Sequence, residues 1–466
     1  MRFLPFVALL FVATVLADGI PSPGPDETAA LQRAVDALPP GGTLLLEARP
    51  YRFQGVRITR SLTVRGQGPE RTACTRQEAQ PFFIITGRSV EVVLQGFGLE
   101  GGGRDAAGVE AVEVRSLRLQ DVRVAHCGVP PPGSLPDDGH GRPVDGVYAK
   151  DVERAEAVRC RFEANARDGF IGIPVRHLRF EGNVCRGNGR MGCTSDVDPE
   201  KRAGGPLEAV YLDNVVEDCG TGGLHVESDA GLAPVEARFE RNRVTGCGGR
   251  DWGYAWGITL GANAWGLVKD NTIAGTGKGS LLEAYRNGIH VARPAGDVRI
   301  EGNRILDSGR CGISVAESRA AVTLVGNTIE GAGSDGISAY MVRKLHVEDC
   351  AVSGAAGSGL GIRLCPGPFV ARCRFRDNSV GAPGRYPAVR LESTGRARLV
   401  GNDFGGPPQA YGVEASPRAM ALLLSLDGNR FQGPRLSNRP ATRTLGLAAF
   451  GVAAAGLILL WSRRRA

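Results

Sequence analysis

The sequence predicts an all-β solenoid, and three observations carry that prediction. The chain from Val298 to Tyr340 reads VRIEGNRILDSGRCGISVAESRA and then, almost in register, VTLVGNTIEGAGSDGISAY, so Asn303 and Asn327 hold the same place one repeat apart. Each unit carries short period-two apolar alternations, Val298/Ile300/Ile305 and Ile313/Val315, broken by glycines and small residues, which is the pattern of strands joined by tight turns. The repeat is too short to bury a core alone, so neighbouring units must stack to make one.

Following the asparagine position both ways along the chain gives Val122, Cys160, Asn183, Asn214, Asn242, Asn271, Asn303, Asn327, Cys350, Cys373, Asn402 and Asn429. The gaps run from 23 to 38 residues, one coil plus a loop of varying size. Parallel coils lie about 4.8 Å apart, so like side chains at one turn position form a ladder. Stacked amides can hydrogen-bond along it, where a lone buried amide would be costly. A second stack of small residues follows five positions later: Cys127, Asn165, Asn188, Cys219, Cys247, Thr276, Ser308, Ala332, Ala355 and Asn378.

These coils resemble the right-handed parallel β-helix repeats of the pectate-lyase-like superfamily, from about Pro25 to Gly433. The resemblance implies a single-stranded right-handed parallel β-helix. It implies a glycan-active function and, in some members, calcium; the residues themselves name no cofactor. The family's calcium-carboxylate and arginine motifs and its dispersed polygalacturonase set are absent. Asp137-Asp138 and Gly139-His140-Gly141 look like polygalacturonase motifs, but they are contiguous in one loop and are not read as a site.

Taken in order, Met1 to Ala17 has a basic start and an apolar run from Phe3 to Leu16, the pattern of a secretory signal. Residues 18–68 are expected to form an N-terminal cap and first coil. There Pro25 and Asp26 open a short amphipathic helix with Leu31, Val35 and Leu38 on its apolar face, ended by Pro39, Pro40 and Gly41. Such a helix can plug a solenoid end, which otherwise exposes apolar interior and strand edges. The solenoid proper is placed at 69–436, with longer excursions at Gly128 to Val144, Thr194 to Gly205, Gly248 to Gly257 and Gly277 to Gly288. Residues 437–466 form a linker and tail. Leu445 to Trp461 is uncharged and precedes Ser462 and three arginines, as in a C-terminal transmembrane helix or sorting tail that holds the repeats outside a membrane.

Composition agrees with a narrow aliphatic interior and many turns: 67 of 466 residues are glycine and 6% are aromatic. The formal net charge is +7, of which Arg2 and Arg463 to Arg465 supply four, leaving the repeats near neutrality and without a nucleic-acid footprint. Eleven cysteines in an exported chain invite disulfides. Six of them fall on the two stacks, however, and are read as small buried hydrophobes, with Cys350/Cys373 and Cys219/Cys247 close enough to bridge.

The strand after each turn lets outward residues be aligned coil by coil. One row reads Tyr148, Ile171, Thr194, His225, Thr259, His290, Ser314, Ser338; its neighbour reads Lys150, Ile173, Asp196, Glu227, Gly261, Ala292, Ala316, Tyr340. Asp196, His225 and Glu227 thus gather on adjacent coils, with His290 and Lys150 two coils to either side. These five are the candidate catalytic set, able to do general acid/base work on a sugar. Trp252, Tyr254, Trp256 and Trp265 are candidate sugar-gripping plates, and Arg286 and Arg293 candidate cations for a carboxylate. The plainer alternative is a solvated sheet face with rings folded back on their own loop.

Two functions follow from this reading. One is an exported, membrane-anchored monomer that binds polysaccharide and cleaves or modifies it as a lyase, hydrolase or epimerase. The other is a non-catalytic surface adhesin or envelope scaffold, since fold does not settle function. The first requires His225 and Glu227 to be close together and reachable.

Overall fold

A computed structural model describes residues 14–16, 26–128, 144–197, 207–228, 232–249, 255–277, 286–416, 426–433 and 436–437. They form an all-β right-handed parallel solenoid of about twelve turns. The chain divides into two compact units, one of residues 1–252 with 258–267 and one of residues 253–257 with 268–466. The signal segment, apart from the short strand Thr14–Leu16, and the apolar tail lie outside the described residues. Among the described residues no helix is long and apolar enough to cross a membrane.

In the first unit the chain starts with a helix over Thr28–Ala37, with Leu31, Val35 and Leu38 buried as the spacing predicts. Asp26 accepts the Thr28 N–H at its start, at 2.8 Å. Gln32 fastens it to the neighbouring strand, accepting the Arg57 N–H at 2.8 Å and donating to the Arg57 carbonyl at 3.0 Å. Long strands follow at Phe83–Gln95, Val109–Gln120, Val147–Val158 and Phe170–Glu181, in parallel register with one another. A second sheet of short strands, among them Arg161–Glu163, Val184–Arg186 and Val215–Glu217, closes each coil. Phe162, Phe180, Tyr211 and Phe239 stack through the core, the last two with centroids 4.6 Å apart.

The amide ladder works as its chemistry requires. Asn214 Oδ1 accepts both the backbone N–H and the side-chain amide of Asn183, at 2.9 and 3.0 Å, while Asn214 Nδ2 donates to the Phe180 carbonyl at 2.8 Å. In the second unit Asn327 does the same for Asn303, at 3.0 and 2.9 Å. The residue before each ladder position is in the left-handed region, with Gly at 182, 302, 326, 401 and 428 and Asp or Arg at 121, 159, 213, 241, 270, 349 and 372. A positive φ at that point turns the chain inward and presents the amide to the core, which explains the recurring Gly-Asn pair. All eleven cysteines are free thiols and buried, as the small-hydrophobe reading holds.

Strands of the second unit are shorter and nearly ideal: Ile313–Ala316, Ile337–Tyr340, Leu360–Arg363, Val389–Glu392 and Val413–Ala415 stack in unbroken parallel register. The outward rows inferred from sequence are therefore real rows within each unit. Their environment differs from a solvated face in the first. Tyr148, Ile171, Ile173, Thr194 and His225 all point away from the solenoid interior yet are buried, and Tyr148, Ile171 and Ile173 form an apolar cluster with Ala107 and Val112. Three apolar side chains on a polar-facing row are stable only because they are shielded from water.

Candidate functional site

The site is set by register. Thr194 pairs with His225 and Ser195 with Val226, so Asp196 and Glu227 follow as neighbours on adjacent coils. Backbone bonds fix both: Asp196 donates to the Gly172 carbonyl at 2.9 Å and Glu227 to the Ser195 carbonyl at 3.0 Å. Within its strand His225 brings Nε2 to 3.4 Å from Glu227 Oε2, and the core Tyr211 hydroxyl donates to the His225 carbonyl at 3.3 Å. Gly261 completes the floor. A Cβ there would lie 2.9 Å from Cβ, Cγ and Cδ of Glu227, so only glycine lets that side chain lie flat across the next coil.

Exposure separates the three groups. His225 is close to Glu227 but only 7% exposed, so it is not the reachable catalytic group expected from the sequence, whereas Asp196 and Glu227 are half-buried and can be reached from outside. Burial pushes the Asp196 carboxyl up to about 6; the negative Glu227 adds to the rise and His225 opposes it. An acid held partly protonated near neutrality beside a second carboxylate is the arrangement from which acid and base roles separate.

A row of buried acids, missed in sequence, stands just before the strand glycines of neighbouring coils. Asp168 Oδ1 accepts the Met191 N–H at 3.0 Å and the Arg190 Nε at 2.7 Å, and Asp145 Oδ1 accepts the Asp168 N–H at 3.0 Å. Burial alone would raise the Asp168 carboxyl, but the paired Arg190 guanidinium takes it below the ordinary range. Asp145 shows the reverse: burial pushes it up to about 6, with Arg167 opposing. The signal was legible as Asp-Gly before a strand at 145–146, 168–169 and 335–336, but the aligned rows began two residues beyond each glycine.

The other candidates are each placed by their own strand. Lys150 stands two coils away, with the buried Ile173 between them in the row. Trp256 and His290 belong to the second unit, where their rings stack almost parallel, 3° apart with centroids at 5.5 Å. Arg286 is half-buried at the start of the strand Arg286–Ala292, and Arg293 is exposed just after its end at φ +46°. Trp265 is half-buried on the strand Ala264–Lys269 of the first unit. Trp252 and Tyr254 lie outside the described residues. Among the described residues no three His, Cys, Asp or Glu side chains are placed to hold a metal ion, so no step below is routed through calcium.

Residues 256–421 match the family described as the right handed beta helix region. No curated protein sequence matches the chain. In fold, the chain is similar to the catalytic unit of a thermostable alpha-1,3-glucanase from Streptomyces thermodiastaticus, at 16% identity and a TM-score of 0.53, over 92% of this chain and 70% of that one. It also aligns with the A-module of mannuronan C-5 epimerase AlgE4 from Azotobacter vinelandii, at 14% identity and a TM-score of 0.34, over 92% and 98%. The tailspike protein 3 of bacteriophage CBA120 aligns at 10% identity and a TM-score of 0.49, over 92% and 64%. Ladder and register agree with that match: the described residues fold as a right-handed parallel β-helix.

Proposed function

We propose that the chain binds a polysaccharide and cleaves it at Asp196 and Glu227 as a retaining glycoside hydrolase. The observation that carries the reading is the Asp196 carboxyl, raised to about 6 and one coil from Glu227. Retaining hydrolysis needs two carboxyl groups about 5 to 5.5 Å apart, a separation that adjacent coils about 4.8 Å apart can supply. In this reading protonated Asp196 gives its proton to the glycosidic oxygen while Glu227 attacks the anomeric carbon, releasing the alcohol and leaving a glycosyl ester. Asp196, now ionised, takes a proton from water, whose oxygen displaces Glu227 and restores both groups. Buried His225 does not meet the sugar; it is a positioning residue that orients Glu227 from 3.4 Å. That the alpha-1,3-glucanase of similar fold is a glycan-cleaving enzyme by name is consistent with this.

The reading extends to location. Met1 to Ala17 would export the chain, the helix Thr28–Ala37 would close the first coil, and Leu445 to Trp461 would hold the repeats at the outer side of a membrane. Surface protease digestion of intact cells, removing the repeats while a membrane-associated tail fragment survives, checks that part.

The activity is tested by a reducing-end assay on neutral glucans and uronans with the wild-type chain, Asp196→Asn, Glu227→Gln and His225→Gln. New ends with retained anomeric configuration, lost in the first two variants, are the expected result. Full activity in Asp196→Asn, or products that are all unsaturated as from a lyase, overturns it.

A further inference from the structure

The second unit carries another constellation on its outward face, distinct in residues from the Asp196 wall. Along one row Ser338, Gly361, Arg390 and Glu414 are in register, and along the next Tyr340, Arg363 and Glu392. One repeat earlier the same positions hold only Ser314 and Ala316, so the face changes abruptly from small side chains to large polar and aromatic ones.

These side chains are organised rather than loose. Arg363 lies over the Tyr340 ring, 4.4 Å from its centroid, and Arg385 and Arg390 flank the Tyr386 ring at 5.3 and 6.0 Å. Arg390 is held on one side by Asp335 at 2.9 Å and on the other by Glu392 at 3.4 Å. Asp335 is itself oriented, since its Oδ1 accepts the Ser358 N–H at 2.8 Å. Gly361 makes the arrangement possible: a Cβ there would come within 2.4 Å of Asp335 Oδ2. Beside Tyr340 and Arg363, the next residues Met341 and Leu364 are 46% and 45% exposed and sit at φ +52° and +56°. Arg293, Glu317 and Ser393 adopt the same left-handed turn on neighbouring coils, so the turn belongs to the repeat, and what is particular here is the pair of exposed apolar side chains it carries.

We propose that this face is a second glycan-binding site, and that its ligand is an uncharged polysaccharide. Three guanidinium groups, Arg363, Arg385 and Arg390, are set among three carboxylates, Asp335, Glu392 and Glu414, so the patch has no surplus field with which to capture an anion. What it offers is a fixed set of charged donors and acceptors for hydroxyl groups, which form stronger hydrogen bonds than neutral ones do. A tyrosine ring with a guanidinium laid over it is one flat amphipathic plate, and with the exposed Met341 and Leu364 as an apolar margin these plates suit the CH faces of sugar rings. The inference shares with the hydrolase reading only the class of ligand and uses none of its residues.

The test is binding of the full chain, carrying Asp196→Asn so that ligand survives, to immobilised neutral glucans and to polyuronates at low and high salt. Retention on a neutral glucan, insensitive to salt because no net charge is neutralised, is the expected result. Tyr340→Ala with Arg390→Ala lowers that affinity by about tenfold or more, while Tyr340→Phe keeps it; melting curves confirm that each variant is folded. Unchanged affinity in the folded double variant, binding to polyuronates alone, or no binding to any glucan overturns the proposal. Loss of cleavage in Asp196→Asn with retained binding separates the two sites, and retained cleavage of short oligosaccharides by Tyr340→Ala with Arg390→Ala in a chain that keeps Asp196 does so from the other side.

Discussion

Both units build an outward sheet face from the same parallel register, and the two faces meet solvent differently. In the first unit Ile171 and Ile173 are 1% exposed and Thr194 is 2% exposed, although they point away from the core. In the second, Ser314, Ala316, Ser338, Tyr340 and Arg363 are half-exposed at equivalent places. Ion pairs repeat the contrast. Arg190 reaches an Asp168 with no exposed side-chain surface, whereas Arg390 reaches Asp335 with 30% and 10% of the side chains exposed. A burial difference on one scaffold turns the same residue types to different work: the shielded face shifts proton affinities, and the open face presents donors and rings.

The largest expected effect lies on the shielded face. Asp196→Asn removes the acid and lowers turnover by about 10²–10⁴-fold, whereas Tyr340→Ala on the open face leaves turnover of short oligosaccharides unchanged. A matched loss from both would erase the distinction, and steady-state kinetics with oligosaccharides decides it. Next come the ion pairs. Arg190→Ala strands a buried carboxylate and costs about 3–5 kcal/mol, while Arg390→Ala, beside a partly solvated partner, costs about 1 kcal/mol or less. Equal shifts in denaturant midpoint would mean that burial is not what separates the faces. A ladder residue tests what the units share: Asn214→Ala and Asn327→Ala each leave buried backbone groups unpaired and cost about 3 kcal/mol in either unit.

Proton linkage sharpens the comparison further. The Asp196 carboxyl is raised in the folded state, so its favourable contribution is present below the ordinary aspartate range and is lost as pH rises through about 6. Asp196→Asn should therefore melt higher than wild type at pH 8, by about 2 kcal/mol or less, and no higher at pH 4, while the wild-type rate falls above pH 6 as the acid ionises. Asp168 runs the other way, its stabilisation present above the ordinary aspartate range and lost as acid protonates it. Smallest in effect, alkylating reagents should leave the native cysteines unmodified in both units and label all eleven on unfolding; burial pushes Cys127, Cys160 and Cys311 up to about 12, and Cys74, Cys185 and Cys193 well above the ordinary range. A thiol count by mass spectrometry checks this.

Much of the site was legible in the residues. The rows Thr194–His225 and Asp196–Glu227 could be aligned because each follows a turn glycine by a constant offset, and period two then fixes which side faces out. The helix face Leu31/Val35/Leu38 was legible for the same reason, through its own period. His225 was not readable as buried, nor Ile171 and Ile173 as an apolar cluster with Ala107 and Val112, because period two says which way a side chain points and not how much water reaches it.

By itself the sequence determined the coil: a left-handed residue, an amide at the ladder, two alternating strands and a glycine before each, local rules that repeat and so need no distant partner. Only the tertiary structure decided that burial pushes Asp196 up to about 6, that Arg190 meets a fully buried Asp168, and that Tyr340 and Arg390 stay half-exposed. Proton affinity and solvent access depend on the whole volume around a group, and that volume is assembled from parts of the chain far apart in sequence.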